Sequence, residues 1–439
     1  MTERLPSALR HADFRRFLAA RLLANVGAQM VTVAVGYQVY QLTRRPLDLG
    51  LVGLSQFLPF VLLILPAGQA ADRWDRRRIV AACYATLALC DVALTWFSAT
   101  GVSDPAPIFA VMALFGTARA FNMPTGQALL PNLVPRADFG GAVAINSSAL
   151  QVATIAGPAI GGLVFLAGPA VVYVSVAVLM AIASLLTLAL SRGGRTERTR
   201  EPITAKELFL GISFVRRRPV VLGSISLDLF AVLFGGATAL LPVYASDILR
   251  VGPTGLGILR AAPALGGAVC AALLSARPLS RHVGRAMFGG VAVFGVATLL
   301  FGVSTSFPLS LAALAVMGAA DMVSVYVRHL LVQLETPDAI RGRVSAVNAV
   351  FIGASNELGE FESGVTAAWL GTVPAVLVGG AATIAVAGLW TWLFPALRRL
   401  DRFPGHVGAI EAATAAPDAP GIGADSEPIV GSGSAARPG

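Results

Sequence analysis

The sequence predicts an all-α membrane protein with 12 transmembrane helices in two pseudo-symmetric six-helix bundles. Of its 439 residues, 56% are hydrophobic and only 13% are charged, whereas soluble domains carry about 25% charged residues. Twelve segments are long and apolar enough to span a bilayer, which takes about 20 residues. One long polar connection, residues 192–218, separates the first six segments from the last six.

The predicted segments define the organisation of the chain. We expect a tail at 1–16, a first bundle at 17–191, a central loop at 192–218, a second bundle at 219–400 and a disordered tail at 401–439, which is rich in Ala, Gly, Pro and Ser. His11–Arg16 and Ile203–Val215 predict short interfacial helices. The twelve spans are expected at 17–42, 47–71, 78–98, 106–131, 139–166, 169–191, 220–246, 254–276, 286–304, 308–333, 343–370 and 373–397.

The basic charge is distributed as in a membrane protein. The net charge is +9, but Arg44, Arg45 and Arg250 are the basic residues that fall in connections on one side of the predicted spans. Basic residues concentrate on the cytoplasmic side of membrane proteins, so we expect both termini in the cytoplasm of a multi-pass inner-membrane protein. Anionic lipid headgroups are a sufficient partner for this charge, and nucleic acid is not expected.

The connection between the second and third predicted helices is a dense charged segment. Asp72–Arg78 contains four arginines and two aspartates in seven residues, and Gly68 precedes it. Such charge must lie at the bilayer surface, since each charge at the bilayer centre costs about 2.5–3.5 kcal/mol. We expect Gly68 to let two helices approach and Asp72 to pair with a helix end or an arginine. An ordinary basic cytoplasmic loop is the alternative.

Charged residues inside the predicted spans are the candidates for function. Arg119 cannot lose its proton and needs a partner or water, while Glu357 and Glu360 share one helix face and can raise each other's proton affinity. Asp321 is a further proton-coupling candidate. The alternatives are that Arg119 anchors a helix end and that the glutamates pair with arginines such as Arg328.

Other polar residues offer weaker signals. Asn25, Gln29, Tyr37 and Asn356 are candidates for the lining of a cavity, and Asp91, Asp228 and Arg260 are intramembrane charges without a motif. The three cysteines lack metal-ligand spacing. No nucleotide-binding loop, His-Glu-x-x-His or serine nucleophile elbow is present, so we expect a non-enzyme that needs no metal or cofactor and acts as a monomer.

The motif residues resemble a known family. Gly68, Asp72, Arg73, Arg76 and Arg77 are spaced as in the signature loop between helices 2 and 3 of the major facilitator superfamily, with Asp75 where a glycine is usual. This resemblance implies that the loop gates the cytoplasmic side. Arg119 is similar in position to the helix 4 arginine that the superfamily uses in proton coupling.

A second motif lies in the fifth predicted helix. Gly157, Pro158, Gly161 and Gly162 resemble the Gly-Pro-x-x-Gly-Gly motif of proton-driven antiporters in the superfamily, with Ala153 where a glycine is usual. The resemblance implies that this helix shapes an interface that opens and closes. The alternative is a kinked packing face.

Three shorter stretches are similar to the enterobactin exporter branch, which also includes macrolide and other drug exporters. They are Arg10–Phe17, Ala128–Pro131 and Leu334–Val344. The resemblance implies a proton-coupled antiporter that exports a small molecule such as a siderophore. Multidrug or macrolide efflux is the first alternative, and a non-transporting membrane scaffold or sensor is the second.

Overall fold

The computed structural model describes residues 7–101, 103–191 and 212–403, and these residues contain helices but no strand. The described residues exclude 203–211, which form most of the predicted amphipathic helix, and the predicted tail from residue 404. The twelve long helices are α1 Ala12–Thr43, α2 Pro46–Arg73, α3 Arg76–Ala99, α4 Ala106–Leu129, α5 Phe139–Val164, α6 Pro169–Leu188, α7 Pro219–Ile248, α8 Gly252–Ala276, α9 Val283–Val303, α10 Phe307–Glu335, α11 Asp338–Leu370 and α12 Thr372–Leu393.

The helices have the composition of membrane spans. All except α11 are long and apolar enough to cross a bilayer. The exception, α11, carries Glu357, Glu360 and Glu362 within its 33 residues. Two of these charged residues, Glu357 and Glu360, are also predicted proton-coupling residues.

The first helix begins earlier than the sequence predicted. A short 3₁₀ turn, Ser7–Arg10, leads directly into α1 at Ala12, so His11–Arg16 is not a separate interfacial helix. Phe14 and Phe17 are fully buried against the end of α4 and the turn after it. This packing holds the first turns of α1 in line with the rest of the helix.

The seventh helix is interrupted, whereas the sequence predicted a continuous span. A regular helix, Pro219–Phe234, ends at Gly235, and the chain continues through 3₁₀ and short helical turns into a π-turn, Tyr244–Ile248. A β-carbon on Gly236 would overlap the Ser363 side chain and the Gly359 carbonyl of α11. The break therefore lies where α7 and α11 are in backbone contact, and Pro242 supplies no amide hydrogen to restore a regular helix.

The two halves of the chain repeat the same packing. In the first half α1 packs on α5 and α6, α2 on α4, and α3 on α4 and α6. In the second half α7 packs on α11 and α12, α8 on α10, and α9 on α10 and α12. Each contact in one half has its counterpart six helices later, so the chain forms two pseudo-symmetric bundles of six helices.

The two bundles meet at the end that holds the α1–α2 and α7–α8 connections, which we call the closed end. Here Tyr40 donates a hydrogen bond to Asp247, and Arg44 forms an ion pair with Asp247 at 2.9 Å. A β-carbon on Gly257 of α8 would overlap the carbonyl oxygen of Pro158 in α5. Side-chain bonds and backbone contacts together close this end.

Helices α2 and α11 separate with distance from the closed end. A β-carbon on Gly364 would lie 2.9 Å from the α-carbon of Gly50, and one on Gly353 would lie 3.8 Å from the Phe60 ring. At Gly68 no described atom lies within 4 Å of such a β-carbon. The expectation that Gly68 brings two helices together is therefore wrong for this conformation, because no described part of another helix packs against Gly68.

The packing predicts that small residues hold α8 against α10. A β-carbon at Gly318 would overlap the carbonyl oxygen of Pro263, a backbone atom that cannot rotate away. Gly318→Ala should lower the stability of the folded protein by about 1–3 kcal/mol, as overpacking does. Thermal unfolding in detergent checks this, with Gly289→Ala as the control, because that β-carbon meets no described atom within 4 Å. Equal unfolding midpoints for the two variants would contradict this packing.

Candidate functional site

A polar cavity of about 360 Å³ lies between the two bundles. We call it the central cavity. Helices α1, α2, α3 and α4 line it from the first half, and α8 and α11 line it from the second. Its polar and charged lining residues are Asn25, Gln29, Thr32, Gln56, Tyr84, Arg119, Asn122, Arg260, Glu357 and Glu360.

An ion pair crosses the central cavity from one bundle to the other. A terminal guanidinium nitrogen of Arg119 in α4 donates to Oε1 of Glu357 in α11 at 2.7 Å. The Arg119 side chain is 54% exposed to the cavity side and that of Glu357 only 14%. Arg119 also lies over the Phe60 ring of α2, 5.4 Å from the ring centre. Glu357 is therefore the more buried of the two partners, and Arg119 compensates its charge.

A second ion pair lies beside the first. Arg260 of α8 and Glu360 of α11 are 3.8 Å apart and both are largely buried. The α2 backbone passes close to this carboxylate, because a β-carbon on Gly53 would lie 3.0 Å from Oε2 of Glu360. Two carboxylates one helical turn apart are thus each held by an arginine on a different helix. When both glutamates are ionised, the charges of the two arginines and the two glutamates sum to zero.

Of the residues predicted to line a cavity, the structure brings two into this one. Asn25 and Gln29 of α1 lie on its wall. Tyr37 instead packs edge-on against Phe165, with ring centres 5.2 Å apart, and Asn356 is exposed on another side of α11. Tyr37 and Asn356 therefore do not line the central cavity. Spacing along a helix does not show which face of the helix meets the opposite bundle.

Asp321 lies away from the central cavity. It lines a small internal space in the second bundle together with Asp228 and Ser324. Arg328 forms a buried ion pair with Asp228 of α7 and not with the glutamates of α11. Both glutamates do pair with arginines, as the alternative predicted, but their partners are Arg119 and Arg260 and not Arg328.

The α2–α3 connection is held by hydrogen bonds to helix ends. The Arg76 side chain donates to the carbonyls of Ala71 and Ala128 at 3.1 Å each and lies 3.8 Å from Asp72. Arg77 donates to the carbonyl of Leu190 at 2.7 Å. These contacts join the end of α2 to the ends of α4 and α6.

Asp75, which stands in the place of a usual glycine, begins α3. Its carboxylate accepts from the Arg77 backbone amide at 2.9 Å and from the Arg77 side chain at 2.9 Å. The side-chain hydrogen bond with Arg77 lowers the pKa of Asp75 below its usual range. An ionised carboxylate at the first turn also stabilises the helix dipole. Arg73 and Asp72 are exposed.

The glycine-proline motif of α5 faces two neighbouring helices. A β-carbon on Gly157 or Gly161 would lie within 2.9 Å of α1 atoms, at Gln29 and Met30. At Gly162 it would overlap the carbonyl of Pro253 in α8, in the opposite bundle. The helix runs through Pro158 without interruption. The motif therefore lies at the contact between the bundles, beside the closed end.

The sequence does not predict several residues of the site. Arg260 stands out in it only as a charge without a motif, and Gln56, Tyr84 and Asn122 belong to no motif. Their polar side chains within apolar spans were the available signal, since such groups are costly in the bilayer. Nothing in the sequence indicated which of them would lie opposite α11.

A model of the family described as transmembrane secretion effector matches residues 6–404. The chain belongs to this family, within the major facilitator superfamily. The enterobactin exporter EntS of Escherichia coli O1:K1 / APEC is 26% identical over 411 residues, which cover 92% of this chain and 96% of that protein. The EntS protein of Escherichia fergusonii is 25% identical over 409 residues, with the same coverage.

Solved structures establish the same fold. The nucleoside transporter NupG superposes with a TM-score of 0.69 at 16% identity and covers 87% of this chain and 99% of its own. A bacterial homologue of the iron transporter ferroportin, in an inward-facing state, has a TM-score of 0.67 at 16% identity and covers 90% and 100%. The predicted major facilitator fold is confirmed, and the protein is a multi-pass membrane transporter.

The geometry of the closed end predicts how this transporter can be opened. In Gly257→Leu the added side chain has no space against Pro158, so α5 and α8 should separate. Spin labels at the exposed positions Arg45 and Arg250, on the two connections of that end, should then move apart. The three native cysteines, Cys83, Cys90 and Cys270, are replaced by serine beforehand.

The control for this measurement is Gly289→Leu, whose side chain meets no described atom at its β-carbon. We expect its label distance to equal that of the parent. An unchanged distance in Gly257→Leu, in protein that remains folded, would show that α5 and α8 do not hold the bundles together.

Proposed function

We propose that this transporter is a proton-coupled exporter of a small molecule of the siderophore class. The observation that carries the proposal is the Arg119–Glu357 ion pair, which joins the two bundles across the central cavity. The enterobactin exporters among its relatives support the substrate class. In this proposal the protein lies in the inner membrane with both termini in the cytoplasm, and the closed end faces outward.

The ion pair offers a means of coupling. A proton on Glu357 removes its charge and so weakens its attraction to Arg119, which releases one contact between α4 and α11. A bound substrate can release the same contact by inserting between the two side chains. Either ligand then permits the bundles to rearrange, whereas the empty, unprotonated protein remains tied.

The chemistry of the Arg119–Glu357 pair makes proton binding and substrate binding mutually exclusive. A phenolic or catecholic hydroxyl can donate to an ionised Glu357 while its oxygen accepts from Arg119. A protonated Glu357 has lost most of its power to accept that hydrogen bond. Proton binding on the outward side therefore favours substrate release there, as exchange of protons for substrate requires.

Glu360 is the second proton-coupling residue in this proposal. It lies one turn from Glu357 on α11 and its pair with Arg260 is longer, at 3.8 Å against 2.7 Å. Because the two carboxyl groups lie one turn apart, a proton can be shared between them. Asn25, Gln29 and Gln56 supply hydrogen bonds for the substrate on the opposite wall.

Gating in this proposal uses the two motifs. The Arg76 and Arg77 contacts with helix ends set the positions of α2, α4 and α6 as a unit, and Asp72 and Arg73 are exposed at the end of α2. The α5 glycines allow α5 to close against α8 and to slide on α1. Asp321 would act away from the substrate, through the Asp228–Arg328 pair.

Multidrug or macrolide efflux is the second candidate function. Its supporting observation is the apolar part of the cavity wall, which includes Leu87, Met112 and Phe115. Such a wall suits large apolar drugs as well as aromatic siderophores. A scaffold or sensor without transport is disfavoured, because four charged groups in an apolar interior are costly to retain without use.

The coupling role predicts the behaviour of neutral variants. Glu357→Gln combined with Glu360→Gln preserves the shape of the site but removes both proton acceptors. Flux driven by a pH gradient into proteoliposomes should fall to the level of protein-free liposomes, while the protein elutes as folded. Glu362→Gln is the matched control, because Glu362 lies on the same helix, accepts from Thr366 at 2.7 Å and is outside the cavity lining. Unchanged pH-driven flux in the double variant would refute the assignment.

The substrate class predicts which compound a deletion strain retains. Spent medium and cell extracts of iron-starved cells with and without the protein are compared by untargeted mass spectrometry. We expect a catechol-bearing metabolite to be depleted in the medium and enriched inside cells that lack the protein. If iron starvation makes no difference, the siderophore assignment fails, and drug susceptibility of the same strain then tests efflux.

A further inference from the structure

A large groove opens on the outer surface of the first bundle, apart from the central cavity. It has a volume of about 930 Å³ and runs between α3 and α4 from the α2–α3 connection. We call it the α3–α4 groove. One end is formed by Arg73, Trp74 and Arg78, and the deeper part by apolar and small residues that include Ala82, Leu114 and Phe121.

The groove faces the lipid side of the bundle. Leu114, on its wall, is 46% exposed. Further along α3, the exposed residues Leu89 and Trp96 continue the same apolar character, at 68% and 66% exposure. Large exposed apolar side chains on a transmembrane helix are expected where acyl chains surround it. Trp74, 64% exposed at the charged end, has the position of an aromatic residue at the membrane interface.

The length of the groove matches one leaflet. Its lining on α3 extends from Arg77 to Thr86, and these nine steps of 1.5 Å along the helix give a length of about 14 Å. Half of the hydrocarbon core of a bilayer is roughly 15 Å thick. A molecule with its head at the arginines and an acyl chain along the groove would therefore lie at the natural depth of a phospholipid.

The charged end of the groove has cations that no described residue neutralises. Arg73 and Arg78 are exposed, and no ion pair or hydrogen bond of their side chains is found among the described residues. Arg77 already binds Asp75 and the carbonyl of Leu190. Asp75, the acidic residue of the lining, is likewise occupied by Arg77. Two guanidinium groups thus remain without a partner among residues 7–101, 103–191 and 212–403.

We propose that the α3–α4 groove is a binding site for an anionic phospholipid, with Arg73 and Arg78 binding the phosphate and the apolar floor holding one acyl chain. Arginine suits phosphate because its planar group donates paired hydrogen bonds. The chain's own central segment, residues 192–211, is a poor occupant on charge: five basic minus three acidic residues give it a net charge of +2. An anionic lipid has the complementary charge.

Lipid binding at this site would act on the gating region. The headgroup would join Arg73 at the end of α2 to Arg78 in the first turn of α3, and the acyl chain would fill the space between α3 and α4. An occupied groove therefore stabilises the arrangement of α2, α3 and α4 seen here. The proposal does not depend on the substrate or on proton coupling.

The test uses the purified full-length protein in detergent with phosphatidylglycerol, phosphatidylcholine or inorganic phosphate added. Phosphatidylglycerol should raise the thermal unfolding midpoint by about 2 °C or more at a concentration tenfold above its dissociation constant. Phosphatidylcholine should raise it less, and phosphate alone should not raise it, because phosphate lacks the acyl chain. Native mass spectrometry counts the lipids that remain bound.

Two kinds of variant make the test specific. Arg73→Gln with Arg78→Gln removes the phosphate ligands, and Ala82→Trp fills the exposed floor of the groove without changing charge. Each should lose one bound phosphatidylglycerol and most of the thermal shift. Arg136→Gln with Arg277→Gln removes the same charge at exposed positions outside the groove and should retain both.

Several results would overturn the proposal. Equal stabilisation by phosphatidylcholine, whose phosphate is balanced by choline, would show that the groove does not select an anionic lipid. Equal stabilisation by phosphate would remove the role of the acyl chain. An unchanged lipid count and thermal shift in both groove variants would place the bound lipid elsewhere. Because Ala82→Trp leaves the arginines intact, this variant still tests lipid binding in the groove if the double arginine variant misfolds.

Discussion

The rest of this structure depends on the requirement that a charge inside a bilayer be compensated. An isolated charge at the bilayer centre costs about 2.5–3.5 kcal/mol on insertion scales, and an arginine cannot discharge by losing its proton. Arg119 meets this requirement with Glu357, a residue of the opposite bundle. The compensation of one charge therefore also fixes how the two bundles are arranged.

The other intramembrane pairs lie within one bundle. Asp228 and Arg328 connect α7 to α10, and Arg260 and Glu360 connect α8 to α11, all in the second half. A bundle that moves as a rigid body keeps such pairs intact. In the proposed transport cycle, a pair between bundles is broken when the bundles rock, so its charges then need other partners. This difference separates the Arg119–Glu357 pair from charges that stabilise a bundle.

The sequence was sufficient for much of this architecture because the bilayer limits the choices. Continuous apolar segments predicted twelve spans, and charge inside them identified Arg119, Glu357 and Glu360, which the structure brings to one cavity. The interruption of α7 was not predictable, since Gly235 and Gly236 could equally lie in a regular span. One cause explains why Tyr37 and Asn356 were assigned to the cavity lining and Arg260 was not. Pairing between helices is a tertiary property that spacing along one helix does not contain.

The closed end shows why glycine and charge have different tasks in such a protein. Between helices in lipid there is little hydrophobic driving force, so close packing of small residues supplies the attraction. Gly50 with Gly364 and Gly162 with Gly257 bring backbones together at the closed end, where many weak contacts add up. The ion pair is instead a single strong contact whose strength changes with one proton. In the proposed mechanism, packing at the glycines makes two arrangements comparable in energy, and the protonation of Glu357 determines which of them is populated.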